Sequence, residues 1–142
     1  MTRVILADEG LDRAPRAGVE PVGARGGGTL CVFSSVAGER GRKPVIIYGA
    51  AKAGLSQYLE GLDHKHRADG LRVVTVKPGT VDTAMTWGMD KLPFVAQPDK
   101  IADDILRAVR RKKDVIYTPI IWWPIMTIIR AIPERLFKKM EI

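Results

Sequence analysis

Three short apolar runs, TLCVF at 29–33, LRVVTV at 71–76 and VIYT at 115–118, are separated by two stretches with helical spacing. That alternation constrains the chain more than any other feature. Runs of this length, apolar on consecutive residues, are the pattern of strands buried on both faces. The first intervening stretch predicts a helix over 47–68, with small residues at one end that allow close packing. The second, PDKIADDILRAVRRKK, places Ile101, Ile105, Leu106 and Val109 at helical spacing behind the start signal Pro98-Asp99. Strand, helix, strand, helix, strand at these separations predicts an α/β fold with a parallel sheet and right-handed crossovers.

The remainder sets the boundaries. Residues 8–28 carry Gly, Pro and alternating charge with no sustained period, so residues 1–27 read as a poorly ordered or remnant segment. Within it, VILA at 4–7 has the composition of a remnant strand. The domain proper is expected over 28–118, followed by an apolar and basic tail over 119–142. At 142 residues this is one domain. The 23 Lys and Arg against 16 Asp and Glu, a net charge of +7, suit anionic partners without selecting one. The lone Cys31 excludes an internal disulfide and fits a reducing compartment. No secretory signal opens the chain, so a cytoplasmic start is expected.

One constellation carries chemistry. Tyr48 and Lys52 stand four apart at the start of the first predicted helix, thirteen residues after Ser35. Four residues is one helical turn, so both side chains share a face. A tyrosine is a poor proton donor or base at neutral pH unless a positive charge favours its phenolate, and Lys52 supplies that charge while also able to hold a cofactor hydroxyl. Ser34 and Ser35 end a predicted strand, at the sheet edge where ligands collect. A hydroxyl there can hydrogen-bond a carbonyl that Tyr48 protonates. Alone, a Tyr-x-x-x-Lys pair is far more often an ordinary exposed helix pair; the serine pair and the motifs that follow change that.

Taken in order, GGTLCVFSSVAG, YGAAKAGL and LRVVTVKPGTVDT resemble the short-chain dehydrogenase/reductase (SDR) family from residue 28 to about 117. The resemblance implies a partial Rossmann-like, doubly wound parallel sheet, the C-terminal half of that family's fold. It also implies NAD(P)H as cofactor, Ser35, Tyr48 and Lys52 as catalytic residues, and Tyr48 and Lys52 again at the nicotinamide ribose. Pro78, Gly79 and Thr83 would line the nicotinamide end, with Val81 near the carboxamide through its backbone. The terminal IIRAIPERLFKKMEI, with AGERGRKPVIIYGAAKAGL and KPGTVDTAMTW, looks like the members that reduce a keto-sugar carried on a polyprenyl phosphate.

The sequence also departs from the family's pattern. The glycine-rich phosphate turn that follows the first strand is not found; ARGGGTL runs into a strand rather than out of one. The chain has no Asn, so the family's catalytic asparagine is missing. These departures predict a truncated sheet, an open edge on TLCVF, and weak or absent dinucleotide binding by the chain alone. They admit a second reading, a catalytically silent relative that acts as a binding or membrane-associated partner.

In the tail, Pro119, Pro124 and Arg130 interrupt an apolar stretch just too short to span a bilayer. Trp122 and Trp123 beside Arg135, Lys138 and Lys139 fit a segment lying at the inner face of a membrane; the alternative is a wall of the substrate pocket or a contact between copies. Expected partners are therefore a lipid-linked sugar, a membrane surface, and a second copy or partner chain. His64 and His66 do not share a helix face, so no metal site is expected. The basic run at 110–113 closes a helix, where cations suit the dipole, and no nucleic-acid motif accompanies it.

Overall fold

The computed structural model describes residues 4–7, of which the backbone alone is considered, together with 27–81 and 94–141. Four parallel strands form one sheet in the order β1 (Val4–Ala7), β2 (Gly28–Phe33), β3 (Leu71–Pro78) and β4 (Val115–Thr118). Helix α1 (Ile46–His66) joins β2 to β3 and α2 (Pro98–Arg110) lies between β3 and β4. Two short helices follow, α3 (Trp122–Ala131) and α4 (Glu134–Phe137). This is the α/β architecture the sequence predicts.

The sheet is covered on both sides, as parallel strands require. Leu30 and Val32 of β2 and Leu71 and Val73 of β3 pack with Leu59 of α1. On the other face, Cys31, Val74, Val76 and Ile116 pack with Ile101, Ile105 and Ala108 of α2. Leu59 is 1% exposed, and a leucine so buried contributes about 2–3 kcal/mol by transfer alone.

Two expectations are corrected. Val4 to Ala7 pair with Thr29 to Val32 in parallel register, so β2 has no open edge. A backbone strand needs only a partner in register, and VILA provides one. Successive steps from β2 to β3 to β4 run in one direction while α1 and α2 lie on opposite faces; the two crossovers therefore have opposite hands and cannot both be right-handed. The right-handed rule comes from a twisted strand feeding directly into a helix, and residues 79–97 separate β3 from α2, which relaxes it there.

Polar anchors fix each helix to the sheet. Buried Asp63, near the end of α1, accepts the Val73 N–H at 2.8 Å through one oxygen and the Arg67 guanidinium through the other. Arg72, the one charged residue among the α2-facing side chains of β3, donates to the carbonyls of Val109 and Lys113 at 3.2 and 3.1 Å, satisfying the end of α2. Burial pushes the Cys31 thiol above its ordinary value, with Arg72 opposing.

Candidate active site at the carboxyl end of the sheet

The serines leave β2 at the edge where parallel sheets collect ligands. The Ser34 N–H donates to Val76 O at 2.7 Å and the Gly79 N–H to Thr118 O at 3.1 Å, so the carboxyl ends of β2, β3 and β4 are tied side by side. Ser35 and Pro78-Gly79 therefore issue from neighbouring strands.

The two serines then divide their work. Ser34, 2% exposed, donates its hydroxyl to the Lys52 carbonyl at 3.0 Å. With that proton committed, its 2.7 Å contact to Ser56 Oγ has Ser56 donating. Ser34 thus locks α1 to the end of β2 at the turn that carries Lys52. Ser35 caps a 3-10 turn (Val36–Glu39), its oxygen accepting the Ala37 N–H at 3.1 Å. No described residue accepts the Ser35 proton, so this hydroxyl keeps a donor to offer a carbonyl.

Two glycines bring α1 onto that turn. A Cβ at Gly38 would stand 2.7 Å from both Ala53 N and Lys52 C, and one at Gly49 would stand 2.9 Å from Ala37 O. Backbone meets backbone at both points. Tyr48 and Lys52 lie on this stretch of α1, with Lys52 Nζ 5.8 Å from the Tyr48 ring centroid. Lys52 also donates to Phe33 O at 2.9 Å, at the end of β2. Tyr48 is 43% exposed, so its phenol faces an open approach.

The remaining residues named from the sequence are distributed as follows. Pro78 and Gly79 follow directly on β3, and Val81 forms a parallel bridge with Ala96. Thr83 lies outside the described residues. His64 is exposed, and His66 Nδ1 sits 3.1 Å from Asp69 Oδ2; among the described residues no cluster of His, Cys, Asp or Glu could hold a metal.

The tail packs against this site. Trp122 and Met126 of α3 pack on Val36, next to Ser35. The Trp122 indole lies against Gly79 so closely that a Cβ there would fall 1.8 Å from its Nε1. Its buried N–H has no hydrogen-bond partner among the described residues. Behind the 3-10 turn, the Glu39 carboxylate joins Lys77 of β3 and Arg130 of α3. Burial, then Glu39, raise the Tyr117 phenol above its ordinary value. Arg40 donates to the Ile132 carbonyl at 2.7 Å, pairs with Glu134 at 3.1 Å and lies 3.7 Å over the Phe137 ring. The sequence reading missed Ser56, Gly38, Gly49 and Arg40 as positioning residues. A glycine's contacts and an arginine's distant carbonyls leave no local signal, although the paired glycines flanking the serine and tyrosine motifs were in view.

Among the described residues no helix is long and apolar enough to cross a membrane. Of the tryptophan pair, Trp122 is buried and Trp123 is 56% exposed, so only the second can face a membrane or partner.

Comparison with known proteins converges on one family. Its short chain dehydrogenase profile matches residues 14–92. An uncharacterised oxidoreductase of Mycobacterium tuberculosis is 36% identical over 115 residues, covering 81% of this chain and 46% of the relative. A short-chain dehydrogenase from Burkholderia cenocepacia, solved with NADP, superposes with a TM-score of 0.66 at 24% identity over 72% of this chain and 42% of that one. A short-chain dehydrogenase from Mycobacterium paratuberculosis, solved bound to NAD, gives 0.61 at 23% identity over 80% and 61%. The chain thus spans about half the length of the curated relatives it matches. With a parallel sheet, a serine at the end of β2, and tyrosine and lysine on the helix pressed against it, the chain belongs to the short-chain dehydrogenase family.

Proposed function

We propose that this chain carries the catalytic half of an NAD(P)H-dependent ketone reductase. The observation that supports it most is the split of the serine pair: Ser34 is consumed in holding α1, and Ser35 retains its proton beside the tyrosine helix. Ser35 would hydrogen-bond the ketone oxygen and Tyr48 would deliver the proton to it. Lys52, tied to the end of β2 through Phe33 O, would hold the nicotinamide ribose and present its charge to the phenol. These donors suit a ribose and a carbonyl, and Pro78, Gly79, Val81 and Thr83 would line the nicotinamide. The bound cofactor would supply the hydride.

For the substrate, a keto-sugar on a polyprenyl phosphate, as in the decaprenylphosphoryl-ribose pathway reductases, is the narrower proposal. Its support is the tail motif together with the packing of α3 on Val36 and Gly79, which makes the tail a wall of the site. A second copy or partner chain is also proposed to cover α1, whose Ile46, Ile47 and Tyr58 stand exposed. The alternative, a catalytically silent binding partner, draws on the same outward apolar side chains.

The deciding assay follows ketone reduction with NADPH in excess. Tyr48→Phe should lower the rate about 10²–10⁴-fold, the usual contribution of a positioned general acid. A ketone-reduction rate that survives in the variant would remove Tyr48 from the reaction.

A further inference from the structure

We propose that the groove beside β4 docks on the surface of an anionic lipid bilayer, a role independent of the catalytic reading. The groove is a half-open depression of about 820 Å³ between the outer strand β4, the end of α2 and the start of α3. Four cations line it, Lys77, Arg107, Arg111 and Lys113, against one carboxylate, Asp104. That carboxylate is already engaged, accepting the Thr118 hydroxyl at 2.9 Å and facing Arg107 at 3.6 Å, and Lys77 is paired with Glu39. Arg111 and Lys113 carry no ion pair among the described residues and stand exposed.

Charge alone would suit free phosphate or nucleic acid equally. What selects a bilayer is the apolar rim of the same groove, where Ile120, Trp123 and Val115 are 67%, 56% and 47% exposed. Neither phosphate nor a nucleic-acid backbone gives an outward isoleucine a partner. An interface does: aliphatic and indole side chains enter the headgroup boundary while neighbouring cations meet anionic lipid. The sequence reading assigned the lipid charges to Arg135, Lys138 and Lys139; the fold brings a different set to Trp123.

The test is co-sedimentation of the purified chain with phosphatidylcholine vesicles, with and without about a third phosphatidylglycerol, at moderate salt. Binding should require the anionic lipid. Arg111→Ala with Lys113→Ala should weaken it roughly 25-fold, about fivefold per cation. Trp123→Ala should also weaken it, whereas Lys138→Ala with Lys139→Ala, equal in charge removed, should stay within about twofold of the parent. Equal binding to both vesicle types, or equal losses in the two double variants, would overturn the proposal. So would competition by millimolar inorganic phosphate, which would assign the cations to a free anion. Concentration-dependent self-association abolished by Trp123→Ala, without vesicle binding, would overturn it in favour of a second copy.

Discussion

Replacing Gly38 by alanine tests the contact on which the site's geometry depends. The new Cβ would meet Lys52 C and Ala53 N at 2.7 Å, where ordinary contact begins near 3.4 Å, and both are backbone atoms of α1 that cannot rotate away. The helix must withdraw by roughly 0.7 Å, a gap that forfeits a quarter to a half of the dispersion attraction across it. Overpacking of this kind costs about 1–3 kcal/mol. At about 3–4 °C per kcal/mol for a chain of this size, a cost near 2 kcal/mol lowers Tm by about 6–8 °C. Gly54, within α1 and with nothing inside 4 Å of its Cβ position, provides the opposite case. There alanine restores helix propensity and should stabilise by about 0.5–1 kcal/mol, raising Tm by about 2–3 °C. Thermal denaturation of the two variants should therefore give shifts of opposite sign. Shifts of the same sign, or a difference under about 3 °C, would mean that α1 does not rest on the 3-10 turn as described.

Other consequences are open to equally simple measurements. Arg40→Ala removes charge-assisted bonds to the tail worth about 1.5–3 kcal/mol and should speed amide exchange in α3 and α4 ahead of the sheet; unchanged exchange there would show that the tail docks without Arg40. Because the folded pKa of Tyr117 is raised, its contribution to stability is fully present below the free phenol value of about 10 and is lost as pH rises through the folded value. The Tm difference between the parent and Tyr117→Phe should accordingly stay constant from pH 7 to about 9 and move against the parent above about 10; a drift below pH 9 would contradict the assignment. Cys31, buried with a raised pKa, should react with a thiol reagent at pH 8 only on unfolding, and rapid labelling of the native chain would refute that.

The strands and both long helices were legible because their apolar residues carry the periods of the elements they form. Cys31 and Leu30 face opposite layers, as a run apolar on successive residues implies. Tyr48 and Lys52 were legible as one helical face. The different partners of the two serines were not legible from residues alone; Lys52 O for Ser34 and the Ala37 N–H for Ser35 are supplied only by the folded chain. The pairing of β1 escaped for a related reason. VILA has the composition of a strand, but four residues carry no signal of which strand they join, and register with β2 decides it. The tail's two tryptophans read alike in sequence, and the fold separates them by packing one on Gly79 and leaving the next exposed.

The most direct test of the proposal that Lys52 holds the ribose of a nicotinamide cofactor, with no grip on the pyrophosphate, is a fluorescence titration with reduced nicotinamide mononucleotide beside NADH and NADPH. All three should bind weakly, within about threefold of one another, and all should weaken at least fivefold in Lys52→Ala, the loss of one charge-assisted hydrogen bond. A dinucleotide that binds ten times more tightly than the mononucleotide, or binding indifferent to Lys52, would contradict the account.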